Sequence, residues 1–406
     1  MTGWVDIQQH LVRKYDLIAE IEAETITFTR LGGYNARPYS FELDILNGLS
    51  AKSLKGVLRW WSRAAVVGAL GGTIDYAEAN KYLKQIYGGV RRREGEKTTA
   101  SKIQLTVETI FPQSSEQRAK DAQNIHQKHH ESRDQLPPRM RLLLLAGGQK
   151  DKEERKTLET KNIKFKIQLL GERNPRLCNF VMASLLMTLI LGGVGSMTRR
   201  GFGSLKPSSI RLGEDINWDT HLEDICNKLT SERFDANSLT DLLNDLRDKT
   251  IQYAKTCFKI NYSQPGLSIP LVPSLHNLEL RVLSCRNPNL SDLGEVFLRN
   301  TWRREKFLGH TWVLGLPRNM KNTGYFDERE RLRRISSIGL RIFSSHDSTF
   351  VILYGFLSHD WPERIKHKGR RQHEIIEKKY KLKETYKNAF QTIKSLVEKR
   401  CQSQAK

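Results

Sequence analysis

Cysteine is scarce: five residues in 406, scattered as Cys178, Cys226, Cys257, Cys285 and Cys401. No Cys-x-x-Cys pair occurs, so neither a disulfide framework nor a zinc ribbon is predicted, and a reducing cytoplasmic compartment fits. Long apolar runs are missing too. The most apolar stretch, FVMASLLMTLILGGVG, is shorter than the roughly 20 residues a membrane-spanning helix needs. It stops at glycines and reads as a buried helix. The opening MTGWVDIQQHLVRKYD lacks the apolar core of a signal peptide, so no membrane association is expected. Neither a Walker A loop nor a strand-to-helix GxGxxG is found, which argues against those nucleotide-phosphate motifs. Acidic residues are comparatively few, 45 against 67 Lys and Arg, for a formal net charge of +22. A compact monomer with that excess repels itself, which points to a polyanionic partner, nucleic acid first.

Hydrophobic residues make up 38% of the chain, enough to fold, and the length exceeds one ordinary core, so two domains are predicted. The first half reads strand, helix, strand, strand, helix, strand. Glu22 to Phe28 alternates as strand one, and Ser50 opens a helix, SLKGVLRWWSRAAVVGAL, that stops at Gly71 and Gly72. Ile103 to Phe111 and Ile163 to Leu169 are period-two strands, separated by a polar insertion near 112–160. Pro175 starts a second helix that runs to Leu191, and SLKPSSIRL closes the unit as a strand. This is the order of a split βαβ, ferredoxin-like (RRM-like) domain. The predicted class is α+β, with two such βαββαβ domains, the second incomplete or irregular, joined by helices. Their bounds are 1–215 and 259–406, with a helical linker at 216–258. In the second, LELRVLS reads as a strand and LSDLGEVFLRNTWRR as a helix. IGLRIFS and FVILYGFL form a strand pair, and a charged helix runs from about Glu374 to Lys399.

Two segments carry chemistry. On the first helix, at about 100° per residue, Lys55, Arg59 and Arg63 fall within about 60° of Lys52, while Leu54, Val57, Leu58, Trp61 and Ala65 gather opposite. Charged helix faces usually mix in acids at i to i+4 spacing, yet Lys52 to Ala69 contains no Asp or Glu. A phosphate-tracking row is the favoured reading over a merely solvated face. The loop at 192–203, GGVGSMTRRGFG, sets Gly192, Gly193, Gly195, Gly201 and Gly203 around Arg199 and Arg200. Glycines let backbone amides approach a phosphate, and arginines offer bidentate donors. Both arginines are expected to be exposed. Gly193, Gly195, Arg199, Arg200, Gly201, Phe202 and Gly203 are therefore the loop's candidate phosphate contacts.

SLKGVLRWWSR and GGVGSMTRRGFGSL closely resemble signatures of the RAMP superfamily of CRISPR-associated proteins. Within it they are most similar to the family of first subunits of the Cmr-type (type III-B) RNA-targeting complex. VLGLPR followed by RRISSIGLRIF is similar to that family's second-domain pattern, and marks Arg333 and Arg334 as further candidate contacts. The resemblance implies two RRM-like domains, binding of guide or target single-stranded RNA, and assembly with other RAMP subunits. It assigns target cleavage to a neighbouring subunit. Met197 stands where relatives often carry a basic residue.

A catalytic reading stays open. His126, His129 and His130 cluster in the polar insertion, but no cysteine or well-placed carboxylate completes a metal or acid–base site, and a solvated loop is favoured. No catalytic residue, metal ligand or cofactor is assigned. The alternatives are a guide-processing RAMP endoribonuclease, which needs little beyond a histidine or tyrosine near a phosphate site, and a structural subunit that touches only protein. Less specific basic clusters are Arg91 to Arg93, Arg303 and Arg304 beside Trp302, and a solvated basic loop from Arg364 to Arg371.

Overall fold

The computed structural model describes residues 15–27, 29, 31, 48–89, 98–110, 162–195, 198–263, 265–286, 288, 293, 296–297, 311–315, 318–320, 323–327, 335–346, 348–368 and 373–403. Strand β1 (Asp16–Thr25) starts earlier than IEAETITF suggested, because Asp16 and Leu17 already pair with Gly171 and Leu170 of a later strand. Helix α1 (Ala51–Ala69) follows, with Ser50 at its N-cap in extended backbone but making no side-chain capping bond. Leu54, Leu58, Trp61 and Ala65 are buried, as the 3.6-residue period requires. Helix α2 (Tyr76–Tyr87) was not anticipated. Asp75 caps it by accepting from the Glu78 amide, and Gly88 ends it.

Strands β2 (Ile103–Ile110) and β3 (Lys164–Gly171) lie close to where period two placed them. Helix α3 (Pro175–Met187) begins with proline in its first turn and Asn174 accepting from the Arg176 and Leu177 amides. It continues as a π-helical turn, Thr188–Gly192. By length and apolarity Pro175–Gly192 passes for a membrane span, but 89% of it is buried inside the protein, which makes it a core helix. Strand β4 (Leu205–Leu212) completes a sheet of order β2-β3-β1-β4, with antiparallel neighbours throughout. Leu58, Trp61, Phe180, Leu185, Ile21, Phe165 and Ile167 meet in one core between helices and sheet. Helices α4 (Thr220–Ser231) and α5 (Ala236–Phe258) occupy the stretch read as linkage, and Leu239, Leu243 and Leu246 join that same core.

Among the described residues, the second half has two sheets. Strands β5 (Leu278–Ser284), β8 (Ile338–Ser345) and β9 (Ser348–Phe356) form one, in the order β5-β9-β8. Strands β6 (Arg318–Met320), β7 (Thr323–Asp327), β10 (Arg364–Lys368) and β11 (His373–Glu377) form the other, in the order β11-β10-β7-β6. Helix α6 (Lys378–Ser403) ends the described chain. Two expectations are corrected here. Arg364–Lys368 is a strand, not a loop, and Glu374–Glu377 pairs with it instead of opening the helix. RIKHK and HEIIE are poor strand formers by composition; pairing with each other and with β7 makes them strands.

A third correction concerns the cysteines. Cys285, just after β5, and Cys401, in the last turn of α6, form a disulfide with Cα atoms 4.8 Å apart. The pair is separated by 116 residues, and only the packing of α6 reveals it. Cys178, Cys226 and Cys257 are free thiols.

Strand β9 is buried along nearly its whole length. Ile352, Tyr354 and Phe356 face the first core, whereas Val351 and Leu353 face a second one with Trp312, Trp361, Phe390 and Ile393. Trp60 and Trp61 of α1 pack on Phe356, with ring centroids 5.3 and 5.7 Å away, so the first helix is seated directly on the second half's sheet.

Candidate nucleic-acid interface

The row on α1 is graded in exposure. Lys52 is exposed, whereas Lys55, Arg59 and Arg63 are half-buried. Lys55 Nζ donates to Ser101 Oγ at 3.0 Å, anchoring the helix beside the start of β2. Arg63 Nε donates to Asn80 Oδ1 at 3.3 Å, and its guanidinium carbon lies 5.3 Å from the Tyr76 ring centroid. Among the described residues, Lys55, Arg59 and Arg63 have no carboxylate partner within ion-pair distance. Burial, then the charge of Arg59, pushes the Lys55 ammonium below its ordinary range. Burial also lowers Arg63, with Tyr76 opposing and Arg59 adding to the effect. These cations feel one another's charge, an arrangement that an arriving polyanion relieves.

The glycine loop departs from its expected role. Gly193, Gly201, Phe202 and Gly203 are buried, and only Gly195 among the candidate loop glycines is exposed. Phe202, expected as an RNA contact, is 1% exposed and belongs to the second core, where it contributes packing. Arg199 and Arg200, expected as exposed donors, are half-buried. Arg199 donates through Nη1 to the Ser336 carbonyl and lies over the Trp60 ring, 5.0 Å from its centroid. Its own carbonyl accepts from Leu340 N at 3.0 Å, and Arg200 forms a parallel bridge with Leu340. Burial pushes the Arg200 guanidinium down from its ordinary value. The tip of the loop (Gly195 and Thr198 to Arg200) is its accessible part, and it sits beside α1.

Arg341 of β8 was missed. Its guanidinium donates to the carbonyls of Thr198 (2.9 Å), Phe202 (2.8 Å) and Gly203 (2.7 Å). A Cβ at Gly193, whose φ is +70°, would fall inside that guanidinium, so this glycine makes room for an arginine and not for a phosphate. The signal was present as a lone cation in the apolar strand IGLRIF.

Among the described residues, the face of the first sheet that bears Glu20 carries no aromatic ring for a base to stack on. Phe165 is the one aromatic in its four strands, and it is buried on the helix side. Glu20 stands at the centre of this face, accepting from Gln168 Nε2 at 2.9 Å and paired with Lys166 at 3.2 Å and Arg211 at 3.6 Å. The Gln168 hydrogen bond, then that from Lys166, holds the Glu20 carboxyl below its ordinary range. Glu22, Glu24, Lys164 and Lys206 flank it in register. This face is charge-balanced and lacks the rings on which bases stack.

Arg333, Arg334, His126, His129, His130, Arg91 to Arg93 and Trp302 to Arg304 lie outside the described residues, as does Met197.

The chain matches the RAMP superfamily model over residues 22–206. It is 30% identical over 216 residues to the CRISPR system Cmr subunit Cmr1-2 of Pyrococcus furiosus, covering 48% of this chain and 97% of that protein. Its fold is similar to the crystal structure of apo Cmr1 from Pyrococcus furiosus, with a TM-score of 0.54 at 18% identity, covering 95% of this chain and 97% of that one. A chain in the cryo-EM structure of the type III-B Cmr-beta complex, bound to cognate target RNA and AMPPnP in the presence of single-stranded DNA, aligns with a TM-score of 0.56 at 14% identity. The alignment covers 94% of this chain and 100% of that one.

Proposed function

Because this chain belongs to the Cmr1 family of the RAMP superfamily, we propose that it is a non-catalytic, RNA-binding subunit of a type III-B CRISPR effector complex. It contacts guide RNA, target RNA or both, and assembles with other RAMP subunits in the cytoplasm. The observation that carries this reading is the acid-free cationic row of α1, half-buried and unmatched by carboxylates at Lys55, Arg59 and Arg63, beside the arginine-bearing loop tip. The net charge of +22 and the related Cmr-beta chain, solved with target RNA, support it. The row offers phosphate contacts that position a strand without reading its bases.

We read the first sheet's order, β2-β3-β1-β4 with helices between its strands, as a ferredoxin-like unit. On this reading 1–215 is the first domain, 216–258 a helical segment packed onto it, and 259–406 an irregular second domain. The balanced sheet face then leaves helix and loop as the RNA surface, in place of the aromatic sheet of an ordinary RRM.

The test is binding and cleavage of labelled single-stranded RNA by the isolated chain, with and without divalent metal. Tight binding that leaves the RNA intact is expected. Cleavage that survives stringent purification would favour the guide-processing nuclease, and no binding would favour a protein-only scaffold.

A further inference from the structure

Arg341 is a cation in the middle of an apolar strand, and it is fully buried. A buried charge is costly unless all its donors are met, and a carboxylate is the usual partner. Among the described residues no carboxylate pairs with it. Its two terminal nitrogens are met instead by the main-chain carbonyls of Thr198, Phe202 and Gly203, while the buried Nε has no hydrogen-bond partner among the described residues. Carbonyl dipoles stabilise the guanidinium without neutralising it. Burial pushes it down to about 10, which still leaves it charged at neutral pH. The loop therefore rests on a net positive charge supplied by the second half of the chain.

The surrounding bonds fasten the base of the loop and leave its tip to be aimed. Thr27 Oγ1 and Ser204 Oγ both donate to the Gly201 carbonyl, and Ser204 Oγ accepts from Ile342 N. Phe202 is sunk in the second core. What remains accessible is the tip, with Arg199 laid over Trp60, one residue from Arg59 of the basic row. Arg341 Nη1 takes a carbonyl at each end of this stretch, Thr198 and Phe202, so it sets the path of the chain between them. We propose that Arg341 is a positioning residue that holds the tip of the glycine loop in register with the cationic row of α1, so that both meet one RNA backbone. This rests on the RNA-binding reading above.

The experiment uses the full chain, single-stranded RNA of unrelated sequences and four proteins: wild type, Arg341→Lys, Arg199→Ala and the double variant. Lysine keeps the charge but reaches fewer of the three carbonyls. Arg341→Lys is expected to bind about tenfold more weakly than wild type once affinity is corrected for the folded fraction. The double variant should lose little more than the weaker single one, because both changes act through the same tip. Losses that multiply would show that Arg341 does not act through the Arg199 tip, and an unchanged affinity with a lower Tm would show that it serves stability alone; either overturns the proposal. Gly193→Ala, which displaces the same guanidinium, carries the same expectation if Arg341→Lys does not fold. Failure of wild type to bind RNA sinks the functional reading itself, whereas normal wild-type binding with an unaffected Arg341→Lys sinks only this proposal.

Discussion

The guanidinium of Arg199 stacks over the indole of Trp60, 5.0 Å from its centroid, so a cation of the loop is carried by the helix that bears the basic row. Arg199 thus serves two ends. Arg199→Ala removes this stacking and the bond to the Ser336 carbonyl, and should cost about 1 kcal/mol of stability besides weakening RNA binding. Thermal melts alongside RNA titrations check it. A weaker complex at an unchanged Tm would mean the stacking contributes nothing.

Lys52 is the exposed cation of the phosphate row and Arg59 the one whose charge both Lys55 and Arg63 feel, so this pair probes the row. Removing both should flatten the log–log salt dependence of single-stranded RNA binding by about 0.7 per lost contact, up to roughly 1.4. Lys383 and Lys387, exposed on α6, are the control pair. Equal flattening in both double mutants would assign binding to general charge.

The disulfide makes a counting test available. Denatured without reductant, the protein should show three titratable thiols, and five after reduction. Native labelling at pH 8 should be slow, since burial pushes Cys178 up to about 11 and Cys226 and Cys257 up to about 12. Reduction should also lower the Tm, because the bond closes a loop of 116 residues, worth about 4–5 kcal/mol in the chain-entropy account. Five thiols without reductant would remove the bond from the picture.

Glu20 gives an acid-side signature. Its carboxyl is held below the ordinary range by Gln168 and Lys166, so it stabilises the fold above its unfolded value. That contribution is lost as pH falls through the lowered folded value. Glu20→Gln should therefore narrow the difference in Tm between pH 7 and pH 3. RNA affinity at pH 7 should not change, and a fall in it would bring the sheet face into the interface.

Local pattern made much of the architecture legible. LELRVLS is a strand to the residue, Pro175 starts its helix, and the apolar and basic faces of α1 fall as the helical period places them. Helix α2 was overlooked although Asp75, Gly88 and the buried Ala79, Leu83 and Ile86 spell it out. Period two fails in β8 because Ile338 to Phe343 are buried on both faces, so alternation never marks Arg341 as unusual. The glycine loop is legible as a loop, but the side chain that Gly193 makes room for is not. A sequence shows that space is needed near Gly193, but not that an arginine 148 positions later fills it. The cysteine pair was hidden for the same reason: contacts made by packing leave no local mark.

Strand β9 gives one set of side chains to each core, with Tyr354 and Phe356 facing the first and Val351 and Leu353 the second. A wall common to two rooms cannot be taken down from one side. The chain should therefore melt as a single calorimetric transition, and a fragment cut anywhere between α5 and β8 would expose the aromatic seat of Trp60 and Trp61 and aggregate.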